Sequence, residues 1–351
     1  INPILFTSDK TVIRNNSLYL TKKYFIGIYG TQYRIIRGIK YLQCLLKSIY
    51  YSKKVGSQLI HYHFFHFTFI ELITIVLTKL YGFKIVITVH DVKSFYGKGD
   101  NPIIKNIILK SALGLIVHNQ FSKGIMINTS PVNPNKISII PHGHYIDMVN
   151  NNNDKEIAKR SLKLDINDKY ILFFGQIKKV KGLEILLYAM SNIVEMFDNV
   201  KLIIAGRVWK DDFTQYEYLI KKLKLQNDII PHIRYIKNDE VDYYFNASDL
   251  VVLPYKEIYQ SGALLMAMSY KKPVIVSNLP GMTEIISHGK NGLIFNNGDN
   301  SELSNCISLL LSNKDLSEKL ANKGFKTVRD NCCWTRVGIN TSKFYRNLVL
   351  I

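Results

Sequence analysis

Runs such as KIVITVHD (84–91), KYILFFG (169–175), VKLIIAG (200–206) and DLVVLPY (249–255) are apolar at nearly every position rather than at every second one. A strand of that kind is buried on both faces, which is the condition of a parallel sheet lying between helices. Segments of helical period separate the runs. RIIRGIKYLQCLLKSIYY (34–51), for example, has apolar residues at 35, 36, 39, 42, 45, 46 and 49. In the first half KYFIGIYG, LIHYHFF, KIVITVHD, LGLIVHN and KISIIPHG read as strands. In the second half KYILFFG, VKLIIAG, DIIPHIRYI, DLVVLPY, KPVIVSN and GLIFN do so, with LEILLYAMSNIVEMF, FTQYEYLIKKLKL, EVDYYFNA and SGALLMAMSY as helices. The expectation is an α/β chain of two Rossmann-like domains facing a cleft. NNNND (150–154) is the polar break, so the domains are 1–150 and 151–330, with a final helix over 331–351.

The 351 residues suffice for two such cores. Cys44, Cys306, Cys332 and Cys333 show no paired spacing, which reads as reduced thiols in a cytoplasmic protein. The most apolar stretch, 58–78, holds three histidines and Glu71, groups costly at mid-bilayer, so no span is expected there. Net charge is +19 and uneven: residues 1–150 carry 18 Lys and Arg against 5 Asp and Glu, and the remainder 28 against 22. A basic half fits an anionic membrane surface, a phosphate-rich ligand or nucleic acid. Solvated lysines in an Ile-, Asn-, Lys- and Tyr-rich sequence account for it equally.

The chemistry gathers at strand ends, where open parallel sheets bind ligands. FFGQIKKVKGLEILLYAM (173–190) ends a strand at Gly175, places Gln176, Lys178, Lys179 and Lys181 in a loop, and opens a helix near Gly182. Loop cations beside a helix N-terminus make an anion site, because free N–H groups and the dipole add to the ammonium charges. VKLIIAGR sets Gly206 and Arg207 at a second strand end. SGALLMAM, from Ser261, turns the N–H groups of Gly262 and Ala263 the same way. Three such loops converging on one anion suggest a diphosphate.

FFGQIKKVKGLE, IIAGR, the aspartate of ASDLVVLPY, SGALLMAM, KKPVIVSNLPGMTEII and GKNGLIF occur in the order seen in family 4 glycosyltransferases, which this chain resembles over roughly 85–300. The resemblance implies the GT-B fold, a nucleotide-sugar donor, UDP- or GDP-linked, held by domain 151–330, an acceptor held by domain 1–150, and a C-terminal helix (331–351) that crosses back onto the first domain. Lys181 matches the lysine that such enzymes place on the donor diphosphate. The usual arginine is Gln176 here, and Lys178 is its substitute. His90 matches a histidine near the reacting sugar, and Glu284 a glutamate common after that loop. Ile233 joins Gly175, Gln176, Arg207, Ser261, Gly262, Ala263, Glu257 and Glu284 as donor-binding candidates, with His90, Lys178 and Lys181 as catalytic ones.

The family's two glutamates are missing. Matching the Ala-Met pair puts Ile258 and Met266 in their places; matching the glycine puts Tyr259 and Ala267 there, and Glu257 lies one residue off. A branch linked to bacterial exopolysaccharide and lipid-linked glycan assembly carries the similar QSGALLLAL, so the resemblance implies a divergent, active enzyme. It implies a metal-independent hexosyltransferase, retaining rather than inverting, with His90 or Asp91 as the base should it invert. The acceptor would be a polyprenyl-diphosphate-linked glycan, O-antigen among them, met at the inner face of the plasma membrane by a peripheral protein. Its docking stretch would be Lys40–Lys54, with Lys47, Lys53, Lys54, Tyr50 and Tyr51. His61 and His63 share one strand face with His66 nearby, but no carboxylate or Cys accompanies them, so acceptor or cleft lining is favoured over metal, with a structural role as the other reading. His142 and His144 read the same way. No cofactor and no nucleic acid is expected. The rival readings are a GT-B sugar-nucleotide epimerase, which needs acid/base carboxylates in its cleft, and a basic nucleic-acid-binding protein, which needs interleaved aromatic and basic residues on one surface.

Overall fold

The uninterrupted apolar runs form parallel strands. A computed structural model describes residues 2–11, 19–30, 33–92, 101–150, 154–209 and 212–350. The 151–153 part of the expected domain break lies outside them. Two compact units emerge: one comprises the chain up to His118, Ser122–Ile140 and the residues from Gly338 on, the other Asn119–Phe121 and Pro141–Val337.

The first unit contains β1 (Ile4–Ser8), β2 (Leu20–Phe25), α1 (Arg34–Lys54), β3 (Leu59–Phe64), α2 (Phe69–Leu80), β4 (Lys84–Val89), α3 (Pro102–Ser111), β5 (Gly114–Val117), most of α4 (Gln120–Thr129) and β6 (Ile137–Ile139). Among the described residues β3-β4-β5-β6 form a four-stranded parallel sheet, and β1 pairs in parallel with β2. KYFIGIYG reads in sequence as extended to Gly30; the strand stops at Phe25, because Gly27 turns the chain at a φ of +66°. Local chemistry sets the helix starts. Thr68 and Glu71 make a capping box at α2, and Asn101 caps α3 ahead of Pro102.

The second unit contains α5 (Lys155–Ser161), β7 (Lys169–Phe174), α6 (Leu183–Met196), β8 (Val200–Ala205), α7 (Thr214–Lys222), β9 (Ile229–His232), α8 (Val241–Ala247) and β10 (Leu250–Leu253). There follow α9 (Gly262–Ser269), β11 (Val274–Ser277), α10 (Pro280–Thr283), β12 (Leu293–Phe295), α11 (Asn300–Ser312), α12 (Lys314–Asn331) and the start of α13 (Trp334–Val349). Its sheet is parallel and runs β12-β11-β10-β7-β8-β9 among the described residues. Each central strand feeds two cores. Ile171, Phe173, Leu202, Ile204, Leu250 and Val252 point to one face; Tyr170, Leu172, Ile203, Ala205, Val251 and Leu253 point to the other. That alternation, with both sides apolar, is why the sequence shows no period of two.

Asp249, one of the residues of the resemblance, anchors the far end of this sheet. Its carboxylate accepts the N–H of Tyr170 at 2.8 Å and the Lys155 ammonium at 2.5 Å, while its own N–H donates to the Tyr170 carbonyl at 2.7 Å. It therefore ties the starts of β7 and β10 and lies away from the strand ends where ligands bind.

Candidate functional site

In the second unit the strand order reverses between β7 and β10, the first strand of that sheet lying beside the fourth. The loops leaving neighbouring strands part at such a switch point and open a crevice at the carboxyl edge. The loop after β7 supplies Gly175 to Gly182, and the loop after β10 supplies Pro254 to Ser261. They are joined: the N–H of Lys256 donates to the Val180 carbonyl at 2.8 Å. Gly182 sits at φ +63°, ψ 31°, and a Cβ there would overlap the Pro254 carbonyl oxygen, so this approach admits only glycine.

On the other side the β7 loop pairs with the loop after β8. Gly175 N–H donates to Ala205 at 2.9 Å, Ile177 N–H to Arg207 at 3.0 Å, and Trp209 N–H to Ile177 at 3.0 Å. This extension brings three cations onto two aromatic rings. Lys178 Nζ lies 5.3 Å and the Arg207 guanidinium carbon 5.4 Å from the Trp209 ring, and Lys181 Nζ is 3.5 Å from the Tyr255 ring centroid. Aromatic faces are electron-rich, so the rings hold like charges near one another at ~0.5–1 kcal/mol per contact in exposed settings. Burial pushes the Tyr255 hydroxyl up to about 12, so that ring stays neutral beneath Lys181.

Ser261 is the N-cap of α9; its hydroxyl accepts the Leu264 N–H at 3.2 Å. Gly262 and Ala263 occupy the first turn, half-buried, with amides that have no partner within the helix. The structure thus gathers Gly175, Lys178, Lys181, Arg207 and the Ser261–Ala263 turn on loops of one sheet edge, with Gln176 exposed beside Gly175. Glu257 is exposed on the β10 loop. Met266 is half-buried and packs into the core behind α9.

Other candidates are engaged in structural contacts. Both carboxylate oxygens of Glu284 accept backbone N–H groups of the same unit, from Gln120 at 2.9 Å and Phe121 at 2.5 Å. Ile233 packs against the core behind β9. His144 is buried: its N–H donates to the Cys332 carbonyl at 2.8 Å, and its carbonyl accepts from the Trp334 indole at 2.7 Å. His142 stacks on Tyr145.

In the first unit His63 lies on β3 and His90 just past β4, 3.1 Å apart between Nδ1 and Nε2. His118, just past β5, is the residue that sequence reasoning missed. Its Nε2 is 3.3 Å from His90 Nδ1. His61 is engaged in structural contacts: its ring nitrogens face the hydroxyls of Tyr345 and Thr88, and burial pulls it down to about 3. Trp209 and Tyr255 were missed too, although Trp209 stands two residues beyond a strand-end arginine and Tyr255 two beyond a strand end. Among the described residues no group of three or more His, Cys, Asp or Glu is placed to hold a metal ion.

Residues 154–327 match the family described as Glycosyl transferases group 1. The chain is 28% identical to spore coat protein SA of Bacillus subtilis, over 55% of this chain and 53% of that one. It is 24% identical to the capsular polysaccharide biosynthesis glycosyltransferase CapM of Staphylococcus aureus, over 65% and 60%. The chain thus spans a little over half the length of the curated relatives it matches. Sucrose-phosphate synthase from Thermosynechococcus elongatus superposes with a TM-score of 0.79 at 20% identity, over 99% of this chain and 89% of that one. Anabaena HepE in complex with UDP and glucose superposes at 0.75 and 16%, over 93% and 86%. These likenesses show the fold, which is GT-B.

Proposed function

We propose, from the premise that residues 154–327 place this chain in the glycosyl transferases group 1 family, that it moves a sugar from a nucleotide-sugar donor to a lipid-linked glycan acceptor in bacterial surface polysaccharide assembly. The carrying observation is the set of three cations held on Trp209 and Tyr255 beside the switch point of the six-stranded sheet. A sugar diphosphate departs with its negative charge increasing. Lys178, Lys181 and Arg207, already fixed, meet that charge without reorganising, the largest kind of catalytic contribution. The N–H groups of Gly262 and Ala263 add neutral donors at a helix start. Protein cations supply this charge, so the reading needs no metal ion. UDP is the favoured nucleotide, because HepE was solved with UDP, with UDP-glucose, and with UDP and glucose. Retention at the sugar carbon follows from the family resemblance; the anomeric proton coupling of the first-formed product decides it.

The acceptor class rests on CapM and on the first unit's surface. Along α1, Ile35, Ile39, Leu46 and Tyr50 are exposed on one stripe, beside Lys47 and Lys54. Tyr51 does not join them. It packs edge-on against Phe6 and Tyr24, while Lys47 lies over Tyr24 and Lys53 over Phe83. No helix among the described residues is long and apolar enough to cross a membrane. The stripe instead suits peripheral docking on an anionic surface, where lipid-linked acceptors reside. Thermal-shift screening against UDP-, GDP- and dTDP-sugars tests the donor. One of them raises the melting temperature if the reading holds, since a ligand bound to the native state stabilises it. No shift from any of them would remove it.

A further inference from the structure

Tyr145 lies along α9 and is held to it at both ends. Its backbone N–H donates to Ser269 Oγ at 3.1 Å, at the close of the helix, and Ser269 in turn donates to the Leu265 carbonyl at 2.7 Å. Its phenol lies at the opposite end, over Gly262, where a Cβ would stand 3.2 Å from the phenol oxygen. The missing side chain at 262 is what admits the hydroxyl to the first turn. The ring stacks on His142 at 5.8 Å and 30°, and packs against the core that holds Leu264, Leu265 and Met268 of α9. Its direction is therefore set by its surroundings rather than by solvent.

That first turn is continuous with the cation-bearing loops. Lys181 stands on the Tyr255 ring, the Tyr255 hydroxyl is hydrogen-bonded to the Ser261 side chain, and Ser261 caps α9 next to Gly262. The amides of Gly262 and Ala263 have no partner within the helix, so an anionic oxygen seated on them also meets the phenol of Tyr145. The phenol itself has a hydrogen bond to give. Tyrosine hydroxyls removed from water usually find a partner, and Tyr62, Tyr170 and Tyr244 do so, with Thr78 at 2.6 Å, the Asp165 carbonyl at 3.0 Å and His232 at 2.7 Å. The half-buried Tyr145 hydroxyl has no such partner among the described residues, and burial raises it above its ordinary 10, so it keeps its hydrogen and donates towards an anion.

We infer that Tyr145 is a substrate-contacting residue of the diphosphate site, its O–H donating to the phosphate oxygen that the Gly262 and Ala263 amides receive. This rests on the diphosphate reading of the strand-end loops and adds to them a neutral donor that comes from outside those loops. A phenol suits the position because it is rigid: α9 fixes its backbone and His142 its ring, so the hydroxyl meets the phosphate without reorganising.

The test is calorimetric titration of inorganic pyrophosphate and of UDP into the full chain and into Tyr145→Phe, which keeps the ring and drops only the hydroxyl. The variant should melt with the parent by circular dichroism and bind both probes about tenfold or more weakly, the worth of one hydrogen bond to a charged group. In the parent labelled with 13C at tyrosine Cζ, the signal that Tyr145→Phe removes should move as pyrophosphate is added. Equal affinity of the two proteins for pyrophosphate would overturn the inference and leave the diphosphate site standing, and so would a Tyr145 signal that stays put while pyrophosphate binds. Pyrophosphate bound by the parent and weakened in the variant, with UDP refused by both, would uphold Tyr145 and sink the nucleotide reading. A parent that binds neither probe would overturn both.

Discussion

Gly182→Ala and Gly289→Ala make a matched pair of perturbations. Both glycines lie in the second unit with similar backbone, φ +63° and φ +69°, but a Cβ at 289 meets nothing within 4 Å while one at 182 overlaps the Pro254 carbonyl oxygen. Left-handed backbone costs a non-glycine residue ~1–2 kcal/mol. Loss of unfolded-chain freedom returns ~0.4–1 kcal/mol. Gly289→Ala is therefore expected to cost about 1 kcal/mol or less. At Gly182 the overlap adds a packing term of ~1–3 kcal/mol, because the obstacle is backbone and cannot rotate away. With ~2–4 °C per kcal/mol for a unit of this size, the Gly182 variant should melt roughly 2–12 °C below the Gly289 variant. It should also lose nucleotide-sugar binding, since the β7 and β10 loops must separate to make room. Circular-dichroism melts with and without UDP-sugar read both effects. Equal melting temperatures for the two variants would refute the close approach of the loops, and with it the joined site.

Trp209→Ala should weaken UDP affinity about 5- to 30-fold, from two cation–ring contacts of ~0.5–1 kcal/mol each, with folding unchanged by circular dichroism; unchanged affinity would remove the ring's part. His61 is held at about 3 against an ordinary 6.5, by burial first and by His63 and His90 after it. Between those values the unfolded chain binds a proton that the folded chain refuses, so stability falls as pH drops through that window. His61→Gln should flatten the slope of urea-unfolding stability against pH by about 1.4 kcal/mol per unit there, and an unchanged slope would contradict the assignment. The protein should pellet with anionic vesicles at low salt and release near half-molar salt, with Lys47→Glu/Lys54→Glu pelleting less; equal binding to neutral vesicles would exclude electrostatic docking.

Much of this architecture was legible because it depends on local pattern. β7, β8 and β10 are apolar on both faces, which admits few alternatives to a buried parallel strand, and Lys178, Lys181 and Arg207 stand beside strand-end glycines. β1 was not legible: ILFTS is short and only half-buried, so its apolar content matches that of many loops. The roles of Trp209, Tyr255 and His118 depend on which strands are neighbours. Nothing in a linear sequence says that β5 lies beside β4, or that the β8 loop pairs with the β7 loop. Glu284 shows the reverse difficulty. Its place in a motif suggested a ligand contact, whereas the backbone amides of Gln120 and Phe121 donate to its two oxygens.

The central claim is that the loops after β7, β8 and β10 hold the diphosphate of a nucleotide-sugar. Calorimetric titration of UDP into the parent chain and into Lys181→Ala tests it most directly. Saturable binding to the parent is predicted, with UMP far weaker than UDP because the second phosphate is the group the cations meet. Lys181→Ala should lose affinity by at least tenfold, corresponding to about 1.4 kcal/mol or more. UDP bound equally by both proteins, or UMP bound as tightly as UDP, would contradict the account.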